Sequence, residues 1–229
     1  MPRVRDPERL FHLISSATEV FIDRGYRRTQ MSDIAQAAGM AKGTLYLYVE
    51  SKEALFDLAV RAANDDLAAP ETLPVPTPRP GSTERYVQET LQQETRLPKL
   101  EAALGAACPE PDAVRAELEG IVRELYGLLY VRRLAVKLID RNAADYPDLA
   151  AIYFTVARNV VPGLIEQYLQ TRLPTDARGG LPLNIVARGI VEVVAFWSIH
   201  RHWDPAPTSI EDDVAESTAV RFALGALGA

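Results

Sequence analysis

Residues Thr29 to Leu55 read TQMSDIAQAAGMAKGTLYLYVESKEAL, and this stretch decides the fold. Ile34, Ala35 and Ala38 recur at helical spacing, so a short helix over 31–38 turns them inward. Gly39 then supplies a turn, and a second short helix over 42–48 buries Leu45 and Val49. Two short helices joined by a glycine-containing turn make a helix-turn-helix. On the second helix Gly43, Thr44 and Leu47 stand three and four positions apart, on the face away from Leu45 and Val49. Such a face can enter a major groove. Gly43 lets the backbone approach closely, Thr44 can bond a base edge or a phosphate, and Leu47 offers apolar contact to a thymine methyl. Tyr46 and Tyr48 have hydroxyls spaced to reach the flanking phosphates, and Lys42 and Lys52 bring charge to either end. The free amides near Thr29 and Ser51, at helix starts, add anion-binding capacity.

Upstream of this stretch, Asp6 can cap a first helix that opens on Pro7, carries the apolar stripe Leu10, Leu13, Ile14, Ala17 and Phe21, and stops at Gly25. A fourth helix opens at Ser51 and carries Leu55, Leu58, Ala59 and Ala62. Sustained two-residue alternation is missing, so the expected class is all-α. The net charge of -6 is unevenly spread. Residues 1–52 hold 8 Lys and Arg against 6 Asp and Glu, whereas residues 53–229 hold 17 against 25. The mildly basic end is the one suited to phosphate, and the acidic remainder to another partner.

The run GMAKGTLYLYVESKEALF resembles the DNA-binding domain of TetR-family transcriptional regulators, whose pattern is Gly-Val-Ser-Lys-Gly-Thr-Leu-Tyr-x-Tyr-Phe-x-Ser-Lys-Glu-x-Leu. The similarity extends over roughly residues 9 to 58. It implies that Thr29, Lys42, Thr44, Tyr46, Tyr48 and Lys52 lie at the DNA, with Gly43 and Leu47 in the groove. Ala41 departs from the usual Ser or Thr cap, a loss on the order of 1 kcal/mol for that helix. Leu47 departs from a position that is often polar or aromatic. The resemblance also implies a homodimer, and a larger carboxy-terminal helical domain that binds a small-molecule effector. On this basis residues 1–66 form the helix-turn-helix domain, 67–82 a proline-rich linker, and 83–229 the effector-binding and dimerisation domain.

The linker follows from composition, because five of the 16 prolines fall between Pro70 and Pro80 and exclude helix there. Beyond it, helical stretches are expected at 83–97, 99–107, 112–127, 129–144, 148–171, 183–202 and 209–227, with Pro162 kinking the fifth. Asp145-Tyr-Pro-Asp-Leu-Ala followed by Tyr153 resembles an element of some family carboxy-terminal domains. The last two helices carry Ile185, Ile190, Val193, Val194, Phe196 and Trp197, then Val214, Val220, Phe222, Leu224 and Leu227, a composition suited to a two-fold seam. Tyr126, Tyr130, Phe154 and Trp197 can line a pocket for an apolar or amphipathic effector, with Arg123, Arg158 or His200 as orienting groups. Core packing or the seam is the alternative use of those aromatics.

Cys108 alone allows neither an internal disulfide nor a multi-cysteine zinc site, and a small buried residue is expected there. His200 and His202 stand two apart and point to different helical faces. Phosphate-binding glycine loops and nucleophile elbows are missing, so neither a cofactor nor a catalytic centre is implied. Nor does an apolar run approach the roughly 18 residues of a membrane span. A cytoplasmic, ligand-released repressor is the expectation. A helical enzyme acting on the same ligand, or an adaptor binding protein through the proline-rich segment, are the alternatives.

Overall fold

The computed structural model describes residues 7–94, 96–155, 159–173, 180–207 and 209–225. Asp6, Arg158, Pro174, Gly179 and Leu227 lie outside them. Twelve α-helices are defined among the described residues: α1 Pro7–Arg24, α2 Met31–Ala37, α3 Lys42–Leu45, α4 Lys52–Ala63, α5 Ser82–Glu94, α6 Pro98–Gly105, α7 Pro111–Val131, α8 Arg133–Asn142, α9 Pro147–Thr155, α10 Val161–Arg172, α11 Leu183–Ser198 and α12 Asp212–Gly225. The all-α class is as the periodicity predicts, and none of these helices is long and apolar enough to cross a membrane.

Two compact units share the chain, residues 1–89 with 134–152, and residues 90–133 with 153–229. In the first, every residue of the α1 stripe, Leu10, Leu13, Ile14, Ala17 and Phe21, is buried. It meets Ile34 and Ala35 of α2 and Leu55, Phe56 and Ala59 of α4 in one core. Gly25 ends α1 at φ +81°, a backbone angle that side chains with a Cβ resist.

The segment 134–152 completes this unit from far along the sequence. Arg141 donates to the carbonyls of Ile22 (3.0 Å) and Asp23 (2.9 Å), Asn142 donates to that of Phe21 (3.3 Å), and Asp145 accepts from the Arg27 N–H (2.8 Å). The last carbonyls of a helix have no partner within it, so these contacts satisfy the end of α1. Tyr146 lies flat on Phe56 at 5.1 Å and beside Tyr26 at 4.6 Å, closing an aromatic cluster with Phe21.

In the second unit α6, α7, α10, α11 and α12 pack around Leu118, Ile121, Leu125, Ile165, Leu169, Ala187, Ile190 and Val194. Arg172, buried against Tyr168, donates to Glu117 at 2.8 Å and to the Ala103 carbonyl. The bond from Arg172 is the main influence holding the Glu117 carboxyl below its ordinary range.

Some boundaries differ from the sequence reading. Pro162 lies in the first turn of α10, where its missing N–H costs nothing, and Asn159 and Val160 just before it form a π-helical turn, a change of hydrogen-bond register at the place where the kink is expected. The stretch 183–202 ends in a separate 3-10 turn, His200–Trp203. Cys108 is exposed, not buried: it falls in the loop between α6 and α7, near Pro109.

Candidate nucleic-acid interface

The turn between α2 and α3 is built as the sequence suggests. The Gln30 N–H donates to the Asp33 carboxylate (2.9 Å) at the start of α2, and Gly39 turns the chain at φ +61°. Arg24 holds the same Asp33 at 3.1 Å, joining α1 to α2. α3 contains one regular turn, four residues instead of the expected seven, and Leu47 and Tyr48 continue it with tighter bonds to the carbonyls of Thr44 and Leu45 three residues back. Ala41 provides no side-chain cap.

Leu45 and Val49 are fully buried, whereas Lys42 and Gly43 are exposed, Thr44 is half-buried, Tyr46 is 41% exposed and Leu47 is 49% exposed. The phase of the helix is therefore the one that spacing predicts, with Leu47 outside the core. A Cβ added to Gly43 would meet nothing within 4 Å. Leaving leucine and tyrosine in water forgoes burial of roughly 1.5–3 kcal/mol for a side chain such as Leu47. An exposed apolar pair beside a lysine and a bare backbone has the character of a recognition surface.

Three other expected contact residues have duties inside the fold. Thr29 is 1% exposed and its hydroxyl donates to the Gly25 carbonyl at 2.8 Å. Tyr48 is 4% exposed, and its carbonyl accepts the Val75 N–H at 2.7 Å. Lys52 donates to the carbonyls of Tyr26 (2.9 Å) and Thr29 (3.0 Å) and lies 4.1 Å from the Tyr26 ring centroid. Two of its three N–H donors are thus committed to the loop after α1. Spacing along a helix reports which way a residue points but not what neighbouring segment covers it. Lys52→Ala is expected to lower the stability of this unit by about 1–2 kcal/mol, the worth of charge-assisted bonds to carbonyls. An unchanged urea midpoint would show that the tie contributes nothing.

Around this tie the charges are arranged consistently. Burial, then hydrogen bonding with Tyr146 and Glu53, pushes the Tyr26 hydroxyl far above the ordinary tyrosine range, so it remains a donor to Glu53 at 2.8 Å. For Glu53 burial acts upward, but its own N–H, Tyr26, Ser51 and the charge of Lys52 together bring the carboxyl below its usual value. Ser51 caps α4 by accepting the Ala54 N–H at 3.1 Å.

The segment after α4 adds contacts that composition did not reveal. Val75 pairs in parallel with Val49, the Glu50 N–H donates to the Val75 carbonyl at 3.0 Å, and Thr77 donates through its N–H to Glu50 and its hydroxyl to Ser51, both at 2.9 Å. Proline content excludes helix there but says nothing of docking.

Among the effector candidates, Tyr126 is buried and donates to the Trp197 carbonyl at 3.3 Å, and its ring stacks on Tyr130 at 6.1 Å. Tyr130 donates to Asp212, and Arg123 is paired with Glu119 and Glu216, both at 2.8 Å. Phe154 lies against Tyr153, and His200 is half-buried in the 3-10 turn after α11. The structure thus brings Tyr126, Tyr130 and Trp197 together, Tyr126 in the core and the other two partly buried against it. Of the expected seam residues, Ile190, Val194, Val220 and Leu224 are core as well, while Ile185, Phe196, Val214 and Phe222 remain exposed.

Residues 13–59 match the family model described as bacterial regulatory proteins, tetR family. The amino-terminal domain belongs to the TetR family. Relatives of this TetR domain include the HTH-type transcriptional repressor KstR2 of Rhodococcus jostii, 44% identical over 55 residues, 24% of this chain and 27% of that protein. The fatty acid metabolism regulator protein of Bacillus subtilis is 49% identical over 41 residues, 18% of this chain and 21% of its own. The chain therefore spans about a quarter of the length of the curated relatives it matches. Over nearly the whole chain the TetR fold is shared: a TetR-like transcriptional regulator from Rhodococcus sp. RHA1 superposes with a TM-score of 0.51 at 20% identity, covering 98% of both chains. The ketosteroid transcriptional regulator KstR2 of Mycobacterium tuberculosis does so with a TM-score of 0.50 at 18% identity, covering 99% of this chain and 95% of its own.

Proposed function

We propose that the chain is a DNA-binding transcriptional regulator, a homodimeric repressor that leaves a palindromic operator when a small apolar or amphipathic molecule binds its second unit. The observation that carries this reading is the outward face of α3 and the turn after it, where Lys42, Gly43, Tyr46 and Leu47 are exposed and Thr44 half-buried above the buried Leu45 and Val49. Thr44 and Leu47 read base edges, Gly43 permits the approach, and Lys42 and Tyr46 hold phosphates. Thr29, Tyr48 and Lys52 set the position of these groups from behind.

Ile185 and Phe196, three turns apart on α11, and Val214 and Phe222, two turns apart on α12, are the exposed groups suited to a two-fold seam. Tyr130 and Trp197, partly buried where α7 packs against α11, are the aromatic groups suited to meet an apolar effector, with Tyr126 behind them in the core. Two relatives carry names that refer to fatty acid metabolism and ketosteroids, which supports an apolar effector here. An effector that prefers a conformation with the wrong separation of the two reading heads weakens DNA binding, and DNA weakens effector binding by the same factor.

Selection of duplexes from a random pool, repeated with candidate ligands, tests this. The expected result is an inverted-repeat site lost on adding an apolar ligand. Failure to retain any duplex at low salt, or a selected site without inverted symmetry, would count against it. Within the selected site, replacing thymines one at a time by uracil should reveal one symmetric pair whose methyl contributes on the order of 1 kcal/mol per half-site, through Leu47. Leu47→Ala should abolish that discrimination and leave the melting temperature in place.

A further inference from the structure

We propose that residues 73–77, in the proline-rich segment, act as a strap that positions the reading helix, with Val75 and Thr77 as positioning residues for DNA recognition. The proposal rests on the DNA-binding reading above. α3 needs such support, being a single turn with an N-cap that contributes no side-chain bond. A helix so short is unstable by itself, because the cost of nucleation is barely offset before it ends.

The strap supplies order at the other end. Val75 takes the Tyr48 carbonyl at 2.7 Å and accepts the Glu50 N–H at 3.0 Å, so the backbone leaving α3 is held on both sides of Val49. Thr77 extends the grip to Glu50 and to the Ser51 cap of α4. The strap is itself secured beyond its far end, where Thr83 donates to Asp57 of α4 at 2.7 Å and Tyr86 lies under the Arg61 guanidinium at 4.3 Å. Prolines at 74, 76, 78 and 80 keep the segment extended and lower the entropy lost on docking. A flexible connector of the same length would need none of these bonds. The arrangement fixes where the exposed face of α3 points without contributing a group to it.

The test compares wild type, Val75→Pro, Thr77→Val and Thr77→Ser, measuring affinity for the duplex that wild type selects and for a random-sequence duplex pool. Val75→Pro removes the N–H that bonds Tyr48, and Thr77→Val removes only the hydroxyl. Operator affinity is expected to fall about tenfold in Val75→Pro and about fivefold in Thr77→Val, the scale of one hydrogen bond each. Binding to the random pool and its salt dependence should not change, and Thr77→Ser should restore operator affinity. Hydrogen exchange at the amides of residues 45–49 should quicken in Val75→Pro. Equal losses on operator and random duplexes, in step with a lowered melting temperature, would reduce the strap to general stabilisation and overturn the proposal. Unchanged operator binding in both variants would overturn it too. If Val75→Pro does not fold, the Thr77 pair decides. A wild type that selects no duplex refutes the DNA-binding reading and the proposal together, whereas a binding wild type with indifferent variants refutes the strap alone.

Discussion

Gly43→Leu should leave the protein folded and deprive it of its operator. In the free chain the position opens to solvent, with nothing within 4 Å of an added Cβ. Leucine is also favoured over glycine within a helix by roughly 1 kcal/mol, so melting should hold or rise slightly. Against DNA the same side chain occupies the gap through which the backbone approaches the bases. Forcing such a volume into a close-packed contact costs about 1–3 kcal/mol, which is about tenfold to hundredfold in affinity for each half-site. Fluorescence anisotropy with the selected duplex, beside circular dichroism melting, separates the two effects. Gly43→Ala should fall between. Full affinity in Gly43→Leu would mean that this face of α3 does not approach DNA closely.

Phe56→Ala carries the largest expected cost in stability. Phe56 is 1% exposed and touches Phe21 edge-on at 5.2 Å, Tyr26 at 5.2 Å and Tyr146 in a stack at 5.1 Å. Removing a buried phenyl ring typically costs about 3–5 kcal/mol, from lost transfer energy and the cavity left behind. Hydrogen exchange of the α1 and α4 amides reads this unit separately, and their protection should drop by that amount. A drop below about 1 kcal/mol would mean that the cluster collapses onto the gap. Because Tyr146 contributes one face of the site, the variant should also loosen residues 134–152.

That cluster marks the limit of what was legible in the sequence. The α1 stripe, the Gly39 turn and the outward phase of Leu47 depend on local periodicity and backbone geometry, and each stands in the structure as read. The place of Tyr146 depends on which of several amphipathic helices returns to α1, and periodicity is the same whatever the partner. Arg141 and Asp145 hold the end of α1 through contacts that periodicity does not report for the same reason. Lys52 shows a subtler limit. A lysine at the start of a helix beside the reading head is suited to phosphate, and the carbonyls of Tyr26 and Thr29 that claim it become visible only once the loop is folded. The proline-rich segment was readable as extended, but its pairing with Val49 is a contact across 26 positions that composition does not encode.

The path of the backbone between the two units has a consequence for how the protein is made. The chain starts in the first unit, leaves it after residue 89, returns at 134 and leaves again after 152. During vectorial synthesis residues 1–89 emerge without Arg141, Asn142 and Tyr146, the groups that satisfy and cover the end of α1. The reading head therefore waits, incomplete, while more than forty further residues leave the ribosome. Its last wall begins to arrive only after α6 and α7 have been translated, so a nascent chain stalled before residue 134 would offer an exposed aromatic surface to chaperones and proteases.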